Sequence, residues 1–265
     1  MNTGSRLLVA DGIAKRFGGV QALSDVSFHI DRGEIYGLIG PNGAGKTSLF
    51  NVLTGIYAAD GGTFTFAGGP LANLKPDQIA QRGIARTFQN IRLFANLSAL
   101  ENVMIGRHVR THATVLGAIF RGARTMAEEK DIHRRAYELL EYVGVQKRAN
   151  DLAKHLAYGD QRRLEIARAL ATEPQLLALD EPAAGMNATE TDTLKALLQR
   201  IRRDGTTILL IEHDMKLVMS VCDRVMVLDY GKKIAEGPSA MVQKDEKVIA
   251  AYLGGEVTLN FKGAA

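Results

Sequence analysis

Residues 34–53 read EIYGLIGPNGAGKTSLFNVL. The apolar run EIYGLI predicts a buried strand, and SLFNVL predicts a helix. Between them, GPNGAGKT (residues 40–47) matches a phosphate-binding loop, GxxxxGK followed by Ser or Thr. Glycines let backbone N–H groups converge on phosphate oxygens, and the helix that follows presents its positive N-terminus. The stretch therefore predicts a nucleotide site.

Two side chains of this loop have expected roles in holding a nucleotide. Lys46 should reach the β- and γ-phosphates, and Thr47 should bind Mg²⁺. The alternative is a glycine-rich turn with a chance lysine, but the strand before it and the helix after it favour a nucleotide site. The remaining expected contacts are Gly40, Asn42, Gly43, Ala44, Gly45 and Ser48.

Strands and helices alternate in the second half of the chain, which predicts a mostly parallel sheet covered on both faces. Buried strands are expected at 176–179, 206–211 and 224–228, and helices near 159–172, 188–204 and 215–221. In the first third, VSFHI (26–30) and TFTFAG (63–68) contain the alternation of β-ribbons. We expect an α/β fold: a P-loop NTPase core, an N-terminal antiparallel β subdomain and an inserted helical subdomain.

The helical subdomain is predicted over about 91–154. Ser98 and Glu101 form a candidate capping box, and a second helix should run from near Thr125 to Tyr142. Residues 107–127 have no clear period. The whole chain should form a single domain, and the core of that domain should cover about 7–90 and 155–240. A short helix near Asp245–Leu253 and a frayed end should complete residues 241–265.

The composition excludes several classes of protein. With 46% apolar and 23% charged residues, the 265-residue chain is too apolar for disorder. A net charge of +4 fits a protein near anionic lipid or nucleic acid, or only a solvated surface. The single cysteine, Cys222, forbids an internal disulfide and fits a reducing compartment. Apolar runs fall short of the ~20 residues that span a bilayer, and the N-terminus lacks a signal-peptide core. We therefore expect a soluble protein with at most a peripheral membrane role.

Acidic and polar residues follow other buried strands. QLLALDEP (175–182) ends in Asp180, expected to hold Mg²⁺ through water, and Glu181, which could polarise an attacking water. His213 follows ILLIE, and Gln89 ends a short strand at RTFQN. A lone His is more often structural, but ligands gather at the carboxyl ends of parallel strands.

The stretch LAYGDQRRLEIARAL (156–170) predicts a helix with i,i+3 pairs Arg162–Glu165 and Glu165–Arg168. Together with GPNGAGKT, Gln89, Asp180-Glu181 and His213, in this order, it makes the chain resemble the ATP-binding subunits of ABC transporters from about Leu7 to Gly254. The resemblance implies ATP as cofactor and two subunits packed head to tail. The phosphate loop of one subunit would then face the signature loop of the other.

The resemblance also implies roles for individual residues. Phe17 would stack on adenine, and Gln89 would contact Mg²⁺ and signal to the membrane subunit. Glu181 would be the catalytic glutamate, and His213 the switch histidine. Ala157 and Gly159 would belong to the signature loop (156–160), and 184–187 to the D-loop.

Two departures from the family pattern bear on the hydrolysis rate. The signature reads LAYGD rather than LSGGQ, so Ala157 lacks a hydroxyl that would touch the γ-phosphate, while Gly159 is kept. The D-loop ends in Asn187 rather than Asp. Asn187 can still cap the next helix together with Glu190.

Longer motifs indicate a narrower group within this family. The motifs LAYGDQRRLEIARAL, DEPAAGMN, IEHDMKLVM and RTFQNIRLFANLSALENV are similar to one ATPase subunit of branched-chain amino acid (hydrophobic amino acid uptake) importers. This similarity implies a second ATPase subunit, two integral-membrane permease subunits, indirectly a periplasmic solute-binding protein, and a peripheral location on the cytoplasmic face of the inner membrane. No nucleic acid partner is expected.

Other readings stay open at this point. Relatives import urea or short amides, and lipid or lipopolysaccharide exporters have similar ATPases. A soluble ABC-type ATPase acting on ribosomes or DNA is a further alternative. Ile91, Leu93 and Phe94 could line a groove for a membrane-subunit helix, or could pack within the helical subdomain.

Overall fold

The computed structural model describes residues 6–110 and 123–253, which divide into two compact units. The first unit contains residues 6–76 and 198–253, and the second contains residues 77–110 and 123–197. The predicted division at 7–90, 91–154, 155–240 and 241–265 stays a prediction.

The first unit holds an antiparallel sheet of four strands: β1 (Arg6–Phe17), β2 (Val20–Asp31), β4 (Gly61–Phe66) and β5 (Gly69–Pro70). Their order in the sheet is β2-β1-β4-β5. Val9 of β1 pairs with His29 of β2 on one side and with Thr65 of β4 on the other. The alternation predicted at VSFHI is confirmed, because Val26, Phe28 and Ile30 are buried.

A second sheet of the first unit contains the strand that precedes the phosphate loop. Every residue of β3 (Ile35–Ile39) is buried, and β3 pairs in parallel with β8 (Thr207–Ile211) and β9 (Arg224–Asp229). The strand β10 (Lys232–Pro238) runs antiparallel to β9. The helices of this unit are α1 (Lys46–Leu53), α7 (Met215–Val221), α8 (Ser239–Val242) and α9 (Glu246–Leu253).

The second unit pairs β6 (Ile84–Arg86) in parallel with β7 (Leu176–Asp180). The helices wholly within it are α3 (Ala99–Arg107), α4 (Ala123–Tyr142) and α5 (Tyr158–Leu170). The helix α2 (Pro76–Arg82) belongs to it from Asp77, and α6 (Ala188–Arg203) belongs to it as far as Leu197. Short 3-10 turns lie at His108–Arg110, Gln146–Arg148 and Ala153–His155.

The fold class predicted from the sequence is confirmed: mostly parallel strands, a separate antiparallel sheet and helices form an α/β protein. The Ser98 capping box is also confirmed, since Ser98 Oγ accepts from the Glu101 N–H at 3.2 Å and Glu101 Oε2 accepts from the Ser98 N–H at 2.8 Å. Residues 111–122, within the stretch without a clear period, and the tail from 254 lie outside the described residues.

One placement is corrected. The strand expected to end at Gln89 ends at Arg86, and only one further ladder bond follows it, from the Thr87 N–H to Ala178 O at 2.9 Å. Gln89 therefore lies in the loop after the strand. There its side chain is exposed.

Candidate nucleotide-binding and hydrolysis residues

The phosphate loop needs glycine at two positions. Gly40 has φ 152°, and a Cβ there would lie 2.1 Å from Leu228 O. Gly45, with φ 103°, occupies the N-cap of α1, and a Cβ there would lie 2.6 Å from Ala22 O. Because a side chain at either position would collide with backbone, the loop can hold this conformation only with glycine.

Lys46 is folded onto its own loop. Its Nζ donates to Gly40 O at 2.6 Å and to Pro41 O at 2.9 Å, and the residue is buried. Thr47 and Asn42 are exposed beside it. The cation is thus held inside the loop, within reach of an anion that enters.

Phe17 offers an aromatic surface at the end of β1. Its ring meets Tyr57 edge to face, with the centroids 5.1 Å apart, and Lys15 Nζ lies 5.4 Å from its centroid. Phe17 and Tyr57 are 42% and 41% exposed, respectively. A planar base could stack on such a surface.

His213 follows β8 and keeps its imidazole in solvent, with 61% of the side chain exposed. Its backbone N–H donates to Oε2 of the fully buried Glu212 at 3.2 Å. Asp214 then caps α7 by accepting from the Lys216 N–H at 2.8 Å. These contacts fix the backbone around His213 and leave its ring accessible.

In the second unit, the structure joins Gln89 to Glu181. Gln89 Nε2 donates to Glu181 Oε2 at 3.0 Å, across 92 residues of sequence. Glu181 has φ 47°, a left-handed conformation that costs a non-glycine residue about 1–3 kcal/mol. Asp180 before it ends β7 and is buried. A strained acidic residue held by a polar partner is typical of functional sites.

The signature loop and the D-loop also meet in the second unit. Gly159 is buried, and a Cβ there would lie 2.6 Å from Glu190 Oε1. The predicted capping by Asn187 and Glu190 is confirmed, with bonds of 2.9 and 3.0 Å. Ala157 occupies the N-cap of α5 and supplies no side-chain bond to the helix.

The predicted site residues thus fall into two groups. The first unit holds Phe17, the phosphate loop and His213. The second unit holds Gln89, Asp180 and Glu181, and the signature-loop residues Ala157 and Gly159. Within the second unit the structure brings Gln89 to Glu181 and the signature loop to the D-loop.

Sequence reasoning missed Tyr57, Tyr158 and the true setting of Arg162. The pairs Arg162–Glu165 and Glu165–Arg168 exist, at 3.6 and 3.9 Å, but the first pair is buried rather than on a charged surface. Burial raises the pKa of Glu165 and lowers that of Arg168. No pattern in the helix distinguishes a buried arginine from an exposed one. The signal that could have pointed to Tyr158 is its position in LAYGD, where the common signature has glycine.

Among residues 6–110 and 123–253, the structure has no helix long and apolar enough to cross a membrane.

Comparisons with known proteins agree with these observations. A family model described as ABC transporter matches residues 23–184, and a second, described as branched-chain amino acid ATP-binding cassette transporter, matches residues 232–258. LivG of Salmonella typhimurium, a high-affinity branched-chain amino acid transport ATP-binding protein, is 45% identical over 94% of this chain and 98% of its own. BraF of Pseudomonas aeruginosa, with the same description, is 43% identical over the same shares.

A solved structure matches over nearly the whole chain. The ADP conformation of MJ1267, an ATP-binding cassette of an ABC transporter, superimposes with a TM-score of 0.82 and 32% identity, covering 94% of this chain and 99% of that one. The match confirms the fold and a nucleotide-binding function. The chain belongs to the ABC transporter family, as the ATPase that binds nucleotide and powers transport.

Proposed function

We propose that the chain powers an importer of branched-chain amino acids by binding and hydrolysing ATP. The relatives LivG and BraF, described as branched-chain amino acid transport proteins, and the family-specific match at residues 232–258 support this substrate class. The observation that best supports a role in ATP hydrolysis is the 3.0 Å hydrogen bond from Gln89 to the strained Glu181.

In the proposed nucleotide complex, Phe17 stacks on adenine and the backbone of Gly40–Ser48 holds the phosphates. Lys46 exchanges its bonds with Gly40 O and Pro41 O for phosphate oxygens, so that binding replaces two neutral acceptors with an anion. Mg²⁺ fits the oxygen donors of Thr47, Gln89 and Asp180, because a hydroxyl, an amide and a carboxylate are hard ligands. The ion would offset negative charge on the phosphates.

For hydrolysis, Glu181 orients the attacking water and His213 donates to the γ-phosphate. Catalysis then depends on positioning and electrostatics rather than on a covalent intermediate. Gln89 holds the Glu181 carboxylate by its amide before the reaction. Ala157 and Gly159 serve the ATP of a second subunit, packed head to tail, through backbone N–H groups at the start of α5.

The proposed partners are a second ATPase subunit, two permease subunits and, through them, a periplasmic binding protein, at the cytoplasmic face of the membrane. The exposure of Phe94, whose relative exposed area is 49%, supports the proposal that a membrane-subunit helix docks in a groove at this residue. The buried Asn102 holds its backbone, accepting from the Phe94 N–H at 2.9 Å and donating to Phe94 O at 3.1 Å. An exposed aromatic ring on a fixed backbone suits a partner helix.

Purification from native membranes in mild detergent tests the proposal. Co-purifying permeases, with ATPase activity raised by leucine, isoleucine or valine and the binding protein, are the expected result. Activity raised only by urea or an amide would keep the mechanism and change the substrate. Recovery of lipid-export proteins, ribosomes or nucleic acid instead of permeases would contradict the importer.

A further inference from the structure

Arg162 on α5 joins the signature loop to the backbone of Gln89. Its Nε and Nη2 donate to Tyr158 Oη at 3.1 and 2.8 Å. Its Nη1 donates to Phe88 O at 2.9 Å, and its Nη2 donates to Gln89 O at 2.5 Å. One planar guanidinium thus bonds three acceptors from two distant segments of sequence.

A carboxylate completes this arrangement from the same helix. Glu165 lies 3.6 Å from Arg162, and the two side chains are only 2% and 3% exposed, respectively. Glu165 Oε1 is within 3.4 Å of the Phe88 and Arg92 backbone N–H groups, and accepts from both. A buried cation therefore binds carbonyls of the segment 88–92, and a buried anion binds its amides. The backbone of Gln89 is fixed from α5.

Tyr158 connects the buried pair Arg162–Glu165 to the D-loop. Gly185 has φ 78°, and a Cβ there would lie 3.2 Å from Tyr158 Cε1, so the tyrosine ring rests against its backbone. The Arg162 guanidinium carbon is 5.3 Å from the centroid of the same ring. Tyr158 occupies the position of a glycine in the common signature LSGGQ. A glycine there would have neither the ring nor the hydroxyl, so these contacts belong to the LAYGD variant.

The contacts form one continuous path: Tyr158, Arg162, the Gln89 backbone, and the Gln89 amide on Glu181. We propose that Tyr158 and Arg162 are positioning residues that set the Gln89–Glu181 geometry according to the state of the signature loop. The inference rests on the proposed function, in which the signature loop meets the ATP of the partner subunit. Occupation of one ATP site would then organise hydrolysis at the other, and the two sites would be coupled.

Two substitutions and one control test this path in the assembled transporter. Tyr158→Phe removes the hydroxyl and keeps the ring, and Arg162→Lys keeps the charge and loses the planar fork. Arg135→Lys is the matched control, since Arg135 bonds Glu138 of its own helix α4 and lies outside the signature loop. Because Tyr158 is 42% exposed, its variant should fold normally.

The measurement is ATPase rate against ATP concentration. For Tyr158→Phe we expect kcat to fall about three- to tenfold with KM within about twofold, and the Hill coefficient to fall toward 1. The kcat of Arg162→Lys should fall at least as far, and Arg135→Lys should match the wild type. Unchanged kcat and Hill coefficient in Tyr158→Phe would overturn the inference.

A double-mutant comparison separates positioning from general structure. If Tyr158 acts through Gln89, adding Tyr158→Phe to Gln89→Ala should change kcat by less than about twofold, whereas independent effects would multiply. Multiplied losses would overturn the path. A wild-type protein without ATPase activity would overturn the proposed function as well, whereas an active wild type with an unaffected Tyr158→Phe would overturn this inference alone.

Discussion

Gly159 of the signature loop lies directly against Glu190 of the helix after the D-loop, where a Cβ would come within 2.6 Å of Glu190 Oε1. Glu190 cannot withdraw freely, because its Oε2 accepts from the Asn187 N–H at 2.9 Å. A side chain at position 159 would therefore have to displace a neighbour in the same subunit, besides affecting the expected contact with ATP.

Gly159→Ala should break the Asn187–Glu190 capping box. A lost cap costs about 1 kcal/mol, so thermal unfolding should shift down by a few degrees. In a Glu190→Ala background the same substitution should cost much less, because the obstructing carboxylate is gone. Equal losses in both backgrounds would show that the contact with Glu190 is not the cause. Gly19→Ala is a suitable control, since a Cβ there would meet nothing within 4 Å.

Ala157→Ser should stabilise α5 and raise the ATPase rate. Ala157 is an N-cap residue without a side-chain bond, and serine at such a position gains about 0.5–1 kcal/mol. The same hydroxyl would restore the γ-phosphate contact of the common signature. Thermal unfolding and steady-state ATPase assays measure the two effects separately. A rise in stability with no rise in rate would show that the departure at Ala157 does not limit hydrolysis.

Phe17→Ala should weaken ATP binding about fivefold or more, because stacking on a base contributes roughly 1–3 kcal/mol. Phe17→Tyr keeps the ring and should bind nearly as well as the wild type. Titration with a fluorescent ATP analogue measures both. Tyr57→Ala removes the edge contact with Phe17 and should have a smaller effect. Unchanged affinity in Phe17→Ala would place adenine elsewhere.

Cys222 should resist thiol reagents in the folded protein. Burial, followed by the nearby Asp223 and Glu212 carboxylates, raises its pKa well above the usual range. The thiolate is the reactive form, so modification at pH 8 should follow unfolding rather than precede it. Labelling kinetics with and without denaturant test this. Fast labelling of the native protein would contradict the buried position of Cys222.

Local patterns in the sequence were enough to predict most elements. The apolar run at Ile35–Ile39 and the glycines after it are enough to predict both the strand and the loop from local sequence. The strand β1 was not predicted because Gly12 and shifts of register between Ala10 and Ile13 interrupt its alternation. The strand β10 was not predicted because it is half exposed and contains Gly237 and Pro238.

The site was predicted less completely than the fold, for a physical reason. Motifs identify the residues expected to meet ATP, but Arg162 bonds Gln89, 73 residues earlier, through a backbone oxygen that leaves no pattern in the sequence. The i,i+3 spacing of Arg162 and Glu165 is the same on a buried helix face as on an exposed one. Only the tertiary structure shows that both are buried.

The ATPase rate of Glu181→Gln in the assembled transporter tests the proposed role of Glu181 most directly. Glutamine keeps the size of the side chain and can still bond Gln89, but it cannot activate water as a carboxylate does. We expect ATP binding within about threefold of wild type and turnover reduced by at least about 100-fold, the contribution of a positioned base. Turnover near that of the wild type would show that Glu181 is not the catalytic group.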